Sequence, residues 1–264
     1  MPISPSNHFG TATLYYVGAG LPYPFTITGG SPVEDFIFSD GFESGDLSAW
    51  SSAVTDLGDL AASTQAKYWG AYGLAAQIDD TNELYVQDDS PDGETRYHAR
   101  FYLDPNGLAM GLNEELEVFS GQAASGAALR VQLMFDGSEY HVRIGAATDA
   151  AGWVDGAWHS LDPGRNAIEI EWLASTAAGA NNGLMRLWLN GAYFDAVYQV
   201  DNDTLALDSV RLGAVGVDAG TSGTLYLEEF ESRRLSHIGT LPDPGHRRPR
   251  ATQRAWLGGE HLRV

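Results

Sequence analysis

Apolar and polar residues alternate with a period of two through most of the chain between positions 36 and 234. This alternation predicts nine strands: residues 95–103, 115–120, 129–135, 140–146, 167–174, 184–189, 192–200, 209–216 and 224–230. Gly, Asp and Asn separate these segments, and a single helical turn is predicted at residues 47–52. Many short strands joined by turn residues are typical of an all-β sandwich or barrel.

Two hairpins can be paired from the sequence. Asn190-Gly191 is the preferred dipeptide of a type I′ turn, which needs a positive φ at both positions. This turn predicts the pairs Leu189 with Ala192, Trp188 with Tyr193, Leu187 with Phe194 and Arg186 with Asp195. Residues 136–139 predict a second hairpin, in which Leu133 faces Val142 and Gln132 faces Arg143.

The two ends of the chain differ from this body. Residues 1–35 contain two short alternating segments, 11–17 and 24–28, which predict a β-hairpin or the remnant of an upstream domain. They show no basic and apolar leader pattern, so we expect a fragment of a longer secreted protein. Residues 235–264 are rich in Pro, Gly and Arg and are predicted to form a disordered basic tail. The predicted β-sandwich is therefore residues 36–234.

Composition narrows the class of protein. The chain has 264 residues, 44% of them hydrophobic, a net charge of -20 and no cysteine. Without cysteine it has neither a disulfide framework nor a zinc–thiolate site. The acidic residues disfavour nucleic acid as a partner, since phosphate binding needs positive charge at the contact surface. No apolar run approaches the roughly 18 residues of a membrane-spanning helix.

Four segments carry a resemblance to a known family. They are Phe36-Ile-Phe-Ser-Asp-Gly-Phe-Glu-Ser-Gly-Asp-Leu-Ser-Ala-Trp50, Trp158-His-Ser160 before Ile168-Glu-Ile-Glu-Trp172, Leu184-Met-Arg-Leu-Trp-Leu-Asn-Gly191 and Leu225-Tyr-Leu-Glu-Glu-Phe-Glu231. Together they resemble the concanavalin A-like lectin/glucanase superfamily, especially the laminin-G-like modules of bacterial surface and secreted proteins. The resemblance implies a two-sheet antiparallel jelly roll that commonly binds carbohydrate and frequently holds calcium.

The catalytic patterns of similar enzymes are incomplete here. Retaining glucanases place carboxylates at alternate positions of one strand, and Ala174 stands where a third acid should follow Glu169 and Glu171. Residues 193–199 are similar to a segment of jelly-roll alginate lyases, but Asp195 and Val197 replace its Lys and Gly. We therefore predict no catalytic residues.

Strand alternation does predict a polar outer surface suited to sugars. Sugar recognition combines an aromatic ring under the pyranose with planar hydrogen-bonding side chains at its hydroxyls. The candidate carbohydrate-binding residues are His98, Arg100, Gln132, His141, Arg143, Arg186 and Trp188. The alternative interpretation is that they form cross-strand ion pairs, such as Arg186 with Asp195, which stabilise the sheets.

The resemblance also implies a structural Ca²⁺ that joins the first strand of the module to its last. The positions that match this arrangement are Asp40, Glu43, Asp208 and Glu229. Two acidic turns, Asp79-Asp80 and Asp201-Asn-Asp203, are alternatives, and calcium takes such carboxylate and carbonyl oxygens. The competing interpretation is that these are solvated turn carboxylates.

These observations favour a non-catalytic extracellular or cell-surface module that binds glycan or mediates adhesion. A second hypothesis is a structural subunit of a filament or surface layer, in which residues 11–28 add strands to a neighbouring copy. A polysaccharide lyase or glycoside hydrolase is the third.

Overall fold

The computed structural model describes residues 34–242, together with the backbone of two short strands before them. The chain divides into two units, Met1–Glu34 and Asp35–Val264. In the first unit, strand β1 (Thr13–Leu14) pairs antiparallel with β2 (Phe25–Thr26). These two strands lie within the N-terminal segments expected to be extended, and the rest of residues 1–33 lies outside the described part.

The described part of the second unit is almost entirely β. Its strands are β3 (Phe36–Asp40), β4 (Ser52–Val54), β5 (Leu60–Ser63), β6 (Gly73–Ile78), β7 (Leu84–Asp88), β8 (Arg96–Asp104), β9 (Glu115–Ala123), β10 (Gly126–Phe135), β11 (Tyr140–Ala147), β12 (Trp153–Asp155), β13 (His159–Ser160), β14 (Asn166–Leu173), β15 (Gly183–Leu189), β16 (Ala192–Val200), β17 (Ser209–Val215) and β18 (Gly223–Arg233). A 3-10 helix spans Asp56–Gly58. Within the described residues, no helix has the length and apolar character that crossing a bilayer requires.

All nine predicted strands are present, with ends that differ by at most three residues. The sequence pattern missed β3 to β7, β12 and β13. Several of these strands are short, and in the Ala-rich segments β5 has no β-branched residue and β6 has only Ile78, so the usual signal of a strand is weak there. The predicted turn at 47–52 is a single turn, closed by the N–H of Trp50 on the carbonyl of Leu47.

The strands form two antiparallel sheets that make a sandwich, as the alternation predicted. The first sheet has the order β16-β15-β14-β8-β18-β6-β5, with β3 paired to β18. The second has the order β12-β11-β10-β9-β17-β7-β4, with β13 beside β11. One face of each sheet is apolar: Ile168, Ile170 and Trp172 of β14, and Val131 and Leu133 of β10, are fully buried in one core cluster.

The hairpins test the predicted registers directly. In the hairpin of β10 and β11, Leu133 pairs with Val142 and Gln132 with Arg143, as predicted. At Asn190-Gly191, φ is +51° and +80°, as a type I′ turn requires.

The register beyond that second turn was predicted wrongly in part. The first two pairs, Leu189 with Ala192 and Trp188 with Tyr193, are confirmed. An irregularity between Leu187 and Trp188 then shifts the register by one residue, so that Leu187 faces Asp195. A bulge adds a residue to one strand of a pair and displaces every later pair. The predicted pairing of Arg186 with Asp195 is therefore wrong, and Arg186 faces Ala196.

The chain continues beyond β18 as a segment that lies against the outer face of the first sheet. We call residues 235–242 the strap. The N–H groups of Ile238 and Gly239 donate to the carboxylate of Glu169 at 2.6 and 2.8 Å, and the N–H of Leu241 donates to the hydroxyl of Tyr102 at 2.7 Å. The sequence assigned these residues to the basic tail. The structure instead shows that they cover part of the sheet, while residues 243–264 lie outside the described part.

Candidate functional site: the outer face of the first sheet

Hydrogen-bonded pairing lines up polar side chains in rows across the outer face of the first sheet. One row runs through Trp188, Glu169, Arg100 and Glu231 on strands β15, β14, β8 and β18. The neighbouring row runs through Arg186, Glu171, His98 and Arg233 on the same strands. Period-two alternation produces these rows, because side chains two residues apart on a strand share one face.

Glu171 is the centre of its row. Its carboxylate accepts hydrogen bonds from Arg186 at 2.6 Å and from Arg96 at 2.8 Å, although Glu171 itself is only 4% exposed. Burial alone raises the pKa of Glu171, but the hydrogen bond from Arg186 and the charges around it outweigh burial and hold that pKa below its usual range. The carboxylate therefore stays ionised as the shared partner of two arginines.

His98, in the same row, is buried rather than available to a ligand. It is 2% exposed, and neither ring nitrogen has a hydrogen-bond partner among the described residues. Burial lowers the pKa of His98 to about 4, against the opposing attraction of Glu171, 3.5 Å away. His98 is therefore neutral at pH 7, and its position is structural.

The row of Glu169 is covered by the strap. Besides the two strap N–H groups, the carboxylate of Glu169 lies 2.8 Å from Nδ1 of His237. Arg100 donates to the carbonyl of Gly239 at 3.2 Å and to that of Glu229 at 3.2 Å. Trp188 borders this covered region, since its ring centroid lies 5.0 Å from that of His237.

The exposed part of the face lies at its edge, on β15 and β16. Tyr193 and Tyr198 are 55% and 52% exposed, and their hydroxyls lie 3.2 Å apart. The ring of Tyr193 meets that of Trp188 at a centroid distance of 5.8 Å. We call Trp188, Tyr193 and Tyr198 the aromatic ledge. Hydrogen bonds with Tyr193 and Arg186 lower the pKa of the Tyr198 hydroxyl, so polar groups border the rings.

The outer face of the second sheet has the same residue types in closed contacts. Arg143 donates to Gln132 at 2.9 Å and to Glu115 at 3.1 Å, and its guanidinium stacks 4.3 Å from the centroid of Trp158. Gln132 also donates to Glu115 at 3.1 Å. Each polar group in this cluster is used by another member of it.

The seven predicted carbohydrate-binding residues therefore lie on two faces. His98, Arg100, Arg186 and Trp188 belong to the first sheet, whereas Gln132, His141 and Arg143 belong to the second. The expectation that one surface carries all seven is corrected by the topology, since β10 and β11 pair with strands of the second sheet. Of the four on the first sheet, His98 and Arg100 are buried, and Trp188 and Arg186 remain partly exposed.

Sequence reasoning missed part of the surviving site. Tyr193 and Tyr198 were noted as part of a lyase-like segment, without a role in binding sugar. The sequence does carry a signal for them, because the predicted strand at residues 192–200 contains several aromatic side chains. Such side chains stay exposed when their strand lies at the edge of a sheet. Only the position of β16 at the end of the first sheet turns that signal into a surface.

Three of the four predicted calcium ligands lie near one another. Burial raises the pKa of Glu229, and the charges of Glu43 and Asp40 raise it further. Within residues 34–242, the acidic groups whose ligand oxygens converge within 4.8 Å do not include these three. Asp208 precedes β17 in the second sheet, where its N–H donates to the carbonyl of Gln122. No contact within residues 34–242 joins Asp208 to the other three, so the set of four does not converge.

The three remaining carboxylates fit a cation in charge but already accept protein hydrogen bonds. The oxygens of Asp40 accept from the N–H of Phe42 and from the indole of Trp50, both at 2.9 Å. Glu43 accepts from the N–H groups of Ala71 and Tyr72. A carboxylate oxygen has two lone pairs, so these hydrogen bonds leave capacity for a cation.

The two acidic turns that are the alternative calcium sites, at residues 79–80 and 201–203, are each close to further carboxylates. Asp79 groups with Asp56 and Asp59, and Asp201 groups with Asp203 and Asp149. A third group with metal-ligand geometry, absent from the sequence predictions, consists of Asp136, Glu139 and His141.

The residues of the lyase-like segment are engaged in a different way from the family pattern. Asp195, which stands in place of the lysine, contacts Nε2 of His159 at 2.9 Å and accepts from the N–H of Ala157 at 3.0 Å. The carboxylate of Asp195 on β16 of the first sheet therefore contacts His159 on β13 of the second sheet. A cation for a substrate carboxylate is not supplied here by residue 195.

The fold places the chain among antiparallel two-sheet β-sandwich domains. The protein is similar in structure to the cellulose-induced protein Cip1, with a TM-score of 0.55 and 14% identity over 77% of this chain and 99% of that one. It is similar to alginate lyase Aly36B, with a TM-score of 0.53 and 13% identity over 78% and 96%. The binding domain of Paraclostridial Mosquitocidal Protein 1 gives a TM-score of 0.53 and 11% identity, covering 77% of this chain and 50% of that chain.

These likenesses concern the fold. No protein-family model matches the chain, and no curated protein matches its sequence. At such low identity, one fold hosts many activities, so function has to be argued from the site.

Proposed function

We propose that the protein is a non-catalytic carbohydrate-binding module that holds its glycan on the aromatic ledge. The observation that carries the proposal is the exposure of Tyr193 and Tyr198 beside Trp188, at the uncovered edge of the first sheet. Large apolar side chains grouped at the surface commonly mark a binding site. Two of the structural neighbours are named as a cellulose-induced protein and an alginate lyase, which supports this choice of ligand.

The chemistry of the ledge suits a sugar chain. Aromatic rings offer flat apolar surface to the C–H face of a pyranose, and the hydroxyls of tyrosine exchange hydrogen bonds with those of the sugar. Arg186 lies next to the rings, with its charge already neutralised by Glu171. An edge location lets a polymer pass across the ledge without entering a closed cavity.

The proposal is tested by retention on a panel of soluble and insoluble polysaccharides. Trp188→Ala and the double change Tyr193→Ala with Tyr198→Ala should each weaken retention about tenfold or more, since a stacked ring contributes about 0.5–1.5 kcal/mol beyond the apolar area that it buries. Trp158→Ala, on the second sheet, is the matched control and should retain glycan normally. Retention that survives the ledge changes but not the control change would place the site on the second sheet.

We further propose that the module acts outside the cell, as an adhesion domain within a longer secreted protein. The β-sandwich fold and the exposed aromatic ledge at the edge of the first sheet support this role. Fractionation of cells that produce the full-length protein, with detection in the medium or at the surface, tests it. Recovery in the cytoplasmic fraction alone would contradict it.

We also propose that the protein binds calcium. The proposed ligands are Asp40, Glu43 and Glu229, without Asp208. A cation that binds only the folded state adds about 2.7 kcal/mol of stability at one hundred times its Kd. Thermal unfolding should therefore shift upward when calcium is added to metal-free protein. The shift should disappear in Glu229→Gln and persist in Asp208→Asn. A transition unaffected by calcium or chelator would remove this part.

One observation favours an alternative function, β-elimination on an acidic glycan. The lowered pKa of Tyr198, beside Tyr193 and Arg186, resembles what a tyrosine base needs. Absorbance of the unsaturated product, recorded with alginate and other polyuronates, tests this alternative. A signal that Tyr198→Phe abolishes would replace the non-catalytic proposal.

Self-association by strand addition through residues 11–28 stays a prediction, because the side chains concerned lie outside the described residues. Deleting residues 1–35 and comparing the size-exclusion profile with that of the full chain tests it. A profile that does not change would leave no role in assembly for this segment.

A further inference from the structure

A concave region lies beside the strap on the outer face of the first sheet, near the turn at Asn190 that joins β15 to β16. This cleft has a volume of about 390 Å³, within the range of small-ligand sites. The residues used in the argument are Tyr68, Trp69, Tyr102, Arg165, Thr240 and Leu241, all of which line it. None of them belongs to the aromatic ledge or to the predicted carbohydrate-binding set.

The walls of the cleft are aromatic and held in place. The rings of Tyr68 and Trp69 meet at a centroid distance of 4.3 Å, and those of Trp69 and Tyr102 meet at 4.3 Å. The backbone N–H groups of Tyr68 and Trp69 donate to the carboxylate of Glu228 at 2.7 and 3.0 Å. Buried Glu228 thereby fixes the loop that carries two of the three rings.

The strap completes the same wall. The indole N–H of Trp69 donates to the carbonyl of Pro242 at 3.0 Å, and the hydroxyl of Tyr102 accepts from the N–H of Leu241. Ring positions set by such hydrogen bonds need little reorganisation when a ligand arrives, which lowers the entropic cost of binding.

Arg165 supplies unused hydrogen-bond donors. Its guanidinium carbon lies 3.9 Å from the ring centroid of Tyr68. The nearest carboxylate oxygen, Oε2 of Glu228, is 3.8 Å away, beyond hydrogen-bond distance, and that buried oxygen has no partner itself. Among the described residues, no acceptor is hydrogen-bonded to the guanidinium. Arg165 therefore presents N–H groups to whatever enters the cleft.

The charges around Arg165 favour an uncharged ligand. Burial raises the pKa of Glu228 to about 7, so Glu228 is only partly ionised at neutral pH. Asp104 and the ionised fraction of Glu228 act on the guanidinium as negative charges and compensate part of its positive charge. The chain as a whole carries a net charge of -20, which repels polyanions. Sugar hydroxyls can accept from arginine without bringing a negative charge.

We propose that this cleft binds a neutral pyranose unit, with the sugar ring against Trp69 and hydroxyls accepting hydrogen bonds from Arg165. The site is separate from the aromatic ledge and adds a second sugar contact on the same face. The inference rests on the proposed function in one respect, the choice of a carbohydrate as ligand, and it names the class of sugar as neutral.

Indole N–H signals distinguish the two sites in one experiment. The full chain contains seven tryptophans. In a ¹H–¹⁵N spectrum, Trp69→Phe and Trp188→Phe assign the signals of the cleft and of the ledge. The probes are the neutral disaccharides cellobiose, xylobiose and maltose, with digalacturonate as the acidic counterpart. At least one neutral disaccharide should move the Trp69 signal with saturation, and digalacturonate should move it less.

Arg165→Gln should weaken the binding of that disaccharide about tenfold, which is the loss of affinity expected for one or two hydrogen bonds. Arg211→Gln is the matched control, because Arg211 stacks 4.5 Å from the ring centroid of Tyr85 on the second sheet and should not affect binding. A Trp69 signal that no neutral disaccharide moves would overturn the inference, as would tighter binding of digalacturonate. This spectrum of the unaltered chain decides the matter even where a variant does not fold.

The outcomes also separate this inference from the proposed function. Glycan-induced shifts of Trp188 without shifts of Trp69 would keep the ledge and overturn the cleft. Shifts of Trp69 alone, with retention unchanged by Tyr193→Ala and Tyr198→Ala, would keep the cleft and overturn the ledge.

Discussion

The outer faces of the two sheets are built from similar residues, arginines, glutamates and aromatic rings, yet they are organised differently. On the second sheet each of three arginines stacks on an aromatic ring, Arg130 on Trp153, Arg143 on Trp158 and Arg211 on Tyr85. Each of the three is also hydrogen-bonded to a side chain of the same face. Each of these guanidinium groups is therefore engaged by neighbours on its own face.

On the first sheet the two central carboxylates are partnered in different ways. Glu171 is shared by two arginines, and Glu169 is held by the strap. Among the described residues, no arginine stacks on the rings of the ledge or on Trp69 in the cleft, although Arg165 stacks on Tyr68. The comparison teaches that residue type alone does not mark a sugar site. What matters is whether the ring is already covered.

The largest difference between the faces should appear when a central carboxylate is neutralised. Glu171→Gln leaves Arg96 and Arg186 without their shared negative partner and should lower the free energy of unfolding by about 3 kcal/mol, as for a broken buried pair. Glu115→Gln, the corresponding change on the second sheet, should cost about 1 kcal/mol or less, because Glu115 is partly exposed. Urea unfolding of both variants measures this. Equal losses would abolish the distinction between the faces.

The next effect is a dependence of stability on pH, which His98 of the first sheet causes. Because burial depresses the pKa of His98 from 6.5 to about 4, the unfolded chain binds a proton at a higher pH than the folded one. Its contribution to stability is complete above pH 6.5 and is lost as the pH falls toward 4, by up to about 3 kcal/mol.

The difference in unfolding free energy between the wild type and His98→Gln isolates this contribution. Plotted against pH, that difference should change between pH 7 and pH 4 and stay constant from pH 7 to pH 8. A difference independent of pH across the whole range would show that His98 takes up its proton equally in both states.

A smaller effect is expected from the strap, which the described part of the second sheet lacks. A chain ending at Arg234 loses the N–H donors that hold the buried carboxylate of Glu169 and should unfold with about 2 kcal/mol less free energy. A chain ending at Pro242 keeps those donors and should match the full chain, since the sequence of residues 243–264 offers little apolar surface. Identical stability of both truncated chains would mean that the strap contributes no net stabilisation.

The sequence by itself determined the strands and their local pairing. Alternation located nine strands, and short turns set the register of β10 with β11 and the first pairs of β15 with β16. Such features depend on residues close together along the chain, since side-chain direction repeats every two residues and a two-residue loop admits few conformations. The alternation also showed correctly that Trp188, Arg186 and Glu171 point away from the core.

The tertiary structure alone decided which of these side chains share a surface. Partners such as β9 with β17 and β8 with β18 are far apart in sequence, and no local pattern states that Arg143 and Arg186 belong to different sheets. Burial of His98 and Arg100 was equally hidden, because a residue that points outward from a strand is still covered when neighbouring side chains and a returning segment lie over it. Such long-range contacts explain the difference between the two outer faces. The charged groups of the second sheet pair with one another, whereas the first sheet keeps exposed aromatic rings.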